Sequence, residues 1–181
     1  MKTKNSVFIA TSIDGYISDK NGKIDWLNTI PNPSNDDMGY NEFMIGIDAL
    51  VMGRKTFETV CSFDVDWPYE KPVFVLSNSL QEVEEELKDK VFLIHGSLKE
   101  VLHQIRKKGF KNLYIDGGAT IQSFLKEDLI DEFVITTIPI LLGGGTSLFS
   151  ELPKKMEYEL VNTKQYLNAI SQNRFRRKRI N

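Results

Sequence analysis

Residues 50–57 read LVMGRKTF: an apolar run stops at a glycine, and two cations and a threonine follow at once. Leu50, Val51 and Met52 show no polar alternation, so they read as a strand covered on both faces, the kind used in parallel sheets. Gly53 supplies a turn, and RKTFETVC (54–61) opens a helix. Arg54 and Lys55 then stand at the wrong end for the helix dipole, at a cost of roughly a few tenths of a kcal/mol unless an anion binds there. Free backbone N–H groups at a helix start also favour an anion. The stretch therefore poses two alternatives, a plain strand-to-helix turn or a phosphate site.

Outward from this point, short apolar runs alternate with helical patterns. SVFIATSI (6–13) reads as a strand ending at the turn Asp14-Gly15, and Tyr16 to Asn35 reads as one long loop carrying Trp26. DDMGYNEFMIGI (36–47) places Met38, Phe43, Met44 and Ile47 on one helical face. KPVFVLSNS (71–79) and VFLIHG (91–96) are strands, separated by the acidic, solvated stretch 79–90. SLKEVLHQIRKKGF (97–110) is an amphipathic helix with Ser97 as N-cap and Gly109 as its stop. NLYID (112–116), GGAT (117–120) and IQSFLKEDL (121–129) repeat the strand, glycine turn and helix order. DEFVITTIPIL (131–141) is a strand followed by the glycine-rich loop LGGGTSLF, and residues 157–180 form two alternating runs joined by a short turn. Such an order predicts a three-layer α/β domain, with a mostly parallel sheet closed by a C-terminal antiparallel hairpin.

Composition limits the classes available. The chain has 181 residues, 41% hydrophobic and 27% charged, which suits one domain over 1–181 with a full core. A net charge of −2 predicts no general attraction to nucleic acid or to anionic membranes. The cations of RFRRKR (174–179) fall on both faces of a strand, where charge blocks edge-to-edge pairing. One cysteine, Cys61, excludes an internal disulfide, and with no signal-peptide pattern or apolar span the expectation is a cytoplasmic protein. Two histidines and one cysteine give no metal-ligand spacing, so no metal is expected.

In parallel sheets, ligands lie outside the carboxyl ends of the strands. Here those ends are Asp14-Gly15, Gly53 to Thr56, Ser77-Asn78, His95-Gly96 and Asp116 to Thr120. Two of them place small residues directly before a helix, which suits a ligand with two separated phosphate groups. Neither matches a P-loop or the G-x-G-x-x-G fingerprint. Asp36 and Asp37 stand at the start of the helix that follows the long loop and read either as caps or as acids for proton transfer.

The motifs FIATSIDGYIS (8–18), ALVMGRKTFE (49–58), VFVLSNS (73–79), YIDGGATIQSFL (114–125) and LIDEFVITTIPILLGGG (129–145) occur in the order seen in the dihydrofolate-reductase-like superfamily. The chain most resembles the branch of the C-terminal reductase domain of the bifunctional riboflavin-biosynthesis deaminase-reductase, over nearly its whole length. The resemblance implies the dihydrofolate-reductase-like fold and an NADPH-dependent oxidoreductase. It implies that Arg54 and Ser77, with Asn78, hold the 2′-phosphate of NADPH. Gly53, Lys55, Thr56 and the Gly117-Gly118-Ala119-Thr120 backbone would hold the pyrophosphate, and Ala10 and Ile17 would border the nicotinamide. Asp14 and Trp26 are the implied substrate-side residues, and Asp37 falls where the related enzymes keep an acid on the first helix. Departures are Glu70-Lys71, where folate enzymes carry an arginine, and the absence of a zinc deaminase ligand set in these 181 residues. The implied reaction is hydride transfer to a C=N-type, heteroaromatic or imine substrate, of the 5-amino-6-(5-phosphoribosylamino)uracil reductase type in riboflavin biosynthesis. Lys23 is one cation available for the 5-phosphate of such a substrate. Dihydrofolate reductase and a nucleotide-binding module without turnover stay open as alternatives. So do a homodimer formed through the C-terminal hairpin and a monomer whose sheet the hairpin closes.

Overall fold

The computed structural model describes residues 3–179. Ten strands and four α-helices follow one another as β1 (Lys4–Ser12), β2 (Tyr16–Ser18), α1 (Tyr40–Ile45), β3 (Ala49–Gly53), α2 (Arg54–Cys61), β4 (Val73–Leu76), β5 (Val91–Ile94), α3 (Leu98–Lys107), β6 (Asn112–Asp116), α4 (Gly118–Lys126), β7 (Glu132–Ile138), β8 (Thr146–Ser147), β9 (Tyr158–Tyr166) and β10 (Ile170–Arg177). Eight strands form one sheet in the order β5-β4-β3-β6-β1-β7-β10-β9, and β2 pairs with β8 in a separate two-stranded flap. From β5 to β7 all neighbours are parallel, while β10 runs antiparallel to β7 and β9 to β10. This is the mixed sheet with a closing hairpin expected from the sequence.

The layers follow from side-chain alternation. Val51, Leu113 and Ile115 face α3 and α4, whose Val101, Ile105, Ile121 and Phe124 fill one core. Leu50, Met52, Val73 and Tyr114 face the other way, against Phe43 of α1 and Phe57 of α2. Leu50, Val51 and Met52 are completely buried, each contributing about 1.5–3 kcal/mol of transfer free energy. The unbroken apolar reading of 50–52 thus corresponds to the centre of the molecule. At the other end of the chain, Leu167 and Asn168 both have positive φ (51° and 54°), the geometry of a tight primed hairpin turn.

Two elements differ from their sequence reading. The stretch Tyr16 to Asn35 is not one loop, because Tyr16–Ser18 pairs with β8 and Asp25–Thr29 forms a 3-10 helix. The helix expected over 36–47 spans only Tyr40–Ile45. Gly39 and Met38 adopt left-handed backbone (φ 82° and 52°), which ends the helical register and leaves Asp36 and Asp37 in the turn before it. The last predicted strand residue, Ile180, lies outside the described residues.

Candidate active site

The carboxyl ends of β3 and β6 lie side by side, since the two strands pair with Met52 opposite Asp116. Each is followed by a helix whose start has no side-chain cap and no acidic residue in its first turn. α1 also lacks a side-chain cap but carries Glu42 in its first turn. The third helix, α3, has a complete capping box, with the Ser97 hydroxyl accepting from the Glu100 N–H and the Glu100 carboxylate accepting from Ser97 N at 2.8 Å. Sequence therefore caps the helix away from the cleft and leaves two adjacent helix starts with free N–H groups.

The two turns also need glycine for space. A Cβ on Gly53 would come within 2.9 Å of the Thr120 hydroxyl, and one on Gly117 would strike the Thr56 hydroxyl. Gly117 further has φ +86°, which L side chains rarely adopt. Gly53, Thr56, Gly117 and Thr120, taken from two separate motifs, thus pack against one another in one cluster, with Thr120 buried. Over it lies Ile17 from the flap, whose Cδ1 would be 2.6 Å from a Cβ at Gly118, with Thr146 beside it. Ala119 and Lys55 are exposed at the helix starts.

Arg54 reaches across to the end of β4. Its guanidinium donates to the Ser79 hydroxyl at 2.7 Å and pairs with Glu58 one turn along α2 at 3.1 Å. The Ser77 hydroxyl accepts the N–H groups of Ser79 (3.2 Å) and Leu80 (2.9 Å), which folds the 77–80 turn around the guanidinium, with Asn78 exposed at its tip. Two hydroxyls and a planar donor fork converge there, a donor set suited to a phosphate monoester.

On the opposite side of the strand ends, chemistry gathers around a residue the sequence reading left unassigned. Asp116 ends β6 and by alternation shares a face with Tyr114, toward α1. Its carboxylate accepts the Gly117 N–H at 2.8 Å. Burial pushes its pKa above the ordinary carboxylate range, and the Gly117 N–H only partly offsets this. Three phenols feel its charge. Tyr40 is pushed up to about 12 by burial and then by Asp116, and Tyr69 and Tyr114 are raised for the same two reasons. Tyr114 donates to the Phe8 carbonyl at 2.9 Å; the rings of Phe43 and Tyr40 stand 5.3 and 6.5 Å from its own, and the Phe8 ring packs on those two at 5.1 and 5.5 Å. The signal for Asp116 was present in NLYID: an otherwise buried strand ends in an acid two residues after a tyrosine.

The expected substrate-side residues have mixed placements. Trp26 is buried in a small cluster with Ile138 and Ile170, packed against Ala10, and its indole N–H has no partner among the described residues. Asp14 is exposed and accepts three hydrogen bonds: it takes the Ser12 hydroxyl at 2.6 Å and the N–H groups of Leu142 and Gly143, and these bonds lower its pKa. It ties the β1 end to the glycine-rich loop. Asp37 is exposed and accepts the N–H groups of Gly39 (2.8 Å) and Asn41 (2.9 Å), which hold its carboxyl below the ordinary range. The capping alternative thus describes what its side chain does, and an ionised surface carboxylate holds no proton to give at neutral pH. Among the described residues no group of three or more His, Cys, Asp or Glu side chains stands together as metal ligands, and no helix is long and apolar enough to cross a membrane.

Residues 5–171 match the RibD C-terminal domain family. The chain belongs to that family. Among its relatives is the uncharacterized protein YwjB of Bacillus subtilis (strain 168), 34% identical over 172 residues that make up 94% of this chain and 96% of YwjB. A crystal structure of a putative riboflavin biosynthesis protein from Shewanella sp. PV-4 is 55% identical, covers 97% of this chain and 99% of its own, and superposes with a TM-score of 0.94. The dihydrofolate reductase of Enterococcus faecalis complexed with NADP(H) shares the fold alone, at 22% identity and a TM-score of 0.68 over 97% of each chain. The RibD-type architecture, a dihydrofolate-reductase-like fold of the riboflavin-pathway reductases, is therefore the framework that brings these residues together.

Proposed function

We propose that the protein is an NADPH-dependent reductase that delivers a hydride to a C=N bond of a planar heteroaromatic or imine substrate, the reaction type of the riboflavin-pathway aminouracil reductases. The observation that carries this reading is the packed cluster of Gly53, Thr56, Gly117 and Thr120 with Arg54, Ser77 and Ser79 at its side. Two uncapped helix starts offer N–H groups to a pyrophosphate, and the Arg54 fork offers a second, separate phosphate site. A bound NADPH would supply the hydride. Ile17 and Ala10 would border its nicotinamide: Ile17 lies on the α4 start, and Ala10, in the carboxyl half of β1, packs against the Trp26 cluster.

The protein's remaining task is to hold the acceptor, exclude water and manage one proton. The partly exposed rings of Tyr40 and Phe43, lying over the buried Tyr114, would give a planar substrate an apolar face. When the C=N carbon takes the hydride, its nitrogen must take a proton. Asp116, with its raised pKa at the strand end, is the carboxyl placed to hold or relay that proton, a role its depressed pKa and exposure deny to Asp37. NADPH oxidation, followed at the nicotinamide absorbance band with aminouracil and dihydropterin substrates in parallel, tests the reading. Turnover of one of them supports it, whereas tight NADPH binding without turnover of any imine would favour a nucleotide-binding module.

A further inference from the structure

The helix that carries Tyr40 and Phe43 is weakly held on one side. α1 has six residues, none of them buried. Tyr40, Phe43 and Met44 pack toward Tyr114, but a cavity of about 150 Å³ lies between Gly39, Glu42 and Phe43 and the hairpin residues Lys164, Gln172 and Arg174. Toward the hairpin, the position of α1 therefore rests on polar contacts. Those contacts come from one row across the sheet. Lys164 of β9, Gln172 of β10, Thr136 of β7 and Ala10 of β1 stand opposite one another in the strand register. Gln172 is buried, and its amide donates to the Met38 carbonyl and to the Thr136 hydroxyl, both at 2.9 Å. Lys164 pairs with Glu42 of α1 at 3.2 Å. That pair is exposed and contributes little, whereas breaking a buried bond strands a polar group away from water. Met38 and Gly39 take up left-handed backbone at this point (φ 52° and 82°), and a Cβ on Gly39 would stand 3.1 Å from the Tyr166 hydroxyl of β9.

We propose that Gln172 is a positioning residue for the reductase reaction. By tying the Met38 carbonyl to the row that runs to Ala10, it keeps the Tyr40–Phe43 face in register with the nicotinamide edge of the cleft, and so sets substrate affinity. Its amide is used by Met38 and Thr136, and it acts on the substrate only through the turn that starts α1. A strand residue suits this task, because a rigid element holds a supporting contact more closely than a loop does. The inference rests on the reductase reading for the roles of Ala10, Tyr40 and Phe43.

Two substitutions separate positioning from stability. Gln172→Met keeps the side chain's length and removes both bonds, and Thr136→Val removes only the bond on the sheet side. In the ligand-free full chain, amide hydrogen exchange over residues 40–46 should rise about tenfold in Gln172→Met and stay within about twofold of wild type in Thr136→Val, with α3 unchanged in both. Steady-state kinetics then use 5-amino-6-(5-phosphoribosylamino)uracil or a dihydropterin, whichever the wild type turns over. Gln172→Met should raise KM about tenfold while kcat and the NADPH dissociation constant stay within about twofold; Thr136→Val should leave all three within about twofold. Unchanged exchange over 40–46 in Gln172→Met would overturn the inference. So would faster exchange with KM unmoved, or an equal rise in KM in Thr136→Val. Should Gln172→Met fail to fold, Gly39→Ala, which presses on the same turn from the Tyr166 side, is read in the same way. No turnover of either substrate by the wild type counts against the reductase reading and the substrate role together, and exchange alone then decides whether Gln172 holds α1.

Discussion

Compare the starts of α2 and α4 with the pocket around Asp116, a few residues away on the same strand ends. The first region is made of backbone and small side chains: two glycines, two threonines, uncapped N–H groups and an exposed arginine fork. The second is made of rings packed on rings around one carboxyl whose burial raises its pKa. Free donors with positive potential suit the phosphates of a cofactor shared by many enzymes, and specific ring contacts suit one acceptor. On the proposed reading, the difference teaches that nucleotide binding and substrate choice can be changed separately, although Asp116 and Gly117 are neighbours.

The largest expected break in the comparison comes from Gly117→Val. A β-branched residue at φ +86° that also strikes Thr56 should cost about 3 kcal/mol of stability and about 100-fold or more in NADPH affinity, read by thermal melting and fluorescence titration. Asp116→Asn should do the reverse. Turnover falls about 100-fold while NADPH affinity stays within about twofold, and the ligand-free protein becomes more stable at pH 7. The sign follows from the raised pKa. The folded state holds the proton more tightly than the unfolded chain, so the ionised carboxylate destabilises the fold above the ordinary carboxylate range. The gain in melting temperature from Asp116→Asn should therefore shrink as pH falls through that range; a gain that persists at pH 3 would contradict the burial account.

Asp128→Asn supplies a control remote from both regions. Arg177 and Lys154 hold Asp128 down to about 2, through bonds of 2.8 and 3.0 Å. A depressed pKa adds stability above the unfolded value of 3.8 that is lost as pH falls toward the folded one. The substitution should then cost about 2 kcal/mol at neutral pH, measured by urea unfolding, with no change in NADPH affinity or turnover. The smallest effect is expected from Asp37→Ala, which removes the acceptor for two N–H groups before α1. It should lower the melting temperature by about 2 °C and change turnover less than about threefold; a 100-fold loss would restore Asp37 to the chemistry and remove the reason for assigning Asp116.

The strand-to-helix turns proposed to hold a nucleotide were legible in the sequence because their signals are local. A buried run, a glycine, and a helix start without a capping acid can each be read within eight residues, and the order of such units dictates a parallel sheet. The substrate region was legible only in part. Asp116 shares a face with Tyr40 and Tyr69 through pairing and layer packing that join residues far apart in the chain. The helix start at Tyr40, rather than at Asp36, depends on left-handed backbone at Met38 and Gly39, reinforced by the Gln172 amide donating to the Met38 carbonyl at 2.9 Å. Nothing within residues 36–47 encodes that contact. Trp26 is similar: its polar surroundings suggest a lid, and its burial depends on Ile138 and Ile170 from the other half of the chain.

The measurement that bears most directly on the account is a paired fluorescence titration of the wild-type protein and Arg54→Ala with NADPH and NADH. The donor fork, with Ser77 and Ser79 beside it, predicts that wild type prefers NADPH by about 100-fold. Arg54→Ala should lose most of that preference while its NADH affinity hardly changes. Equal affinity of the wild type for the two nucleotides would contradict the phosphate site at Arg54, and with it the reading of LVMGRKTF as the nucleotide end of the sheet.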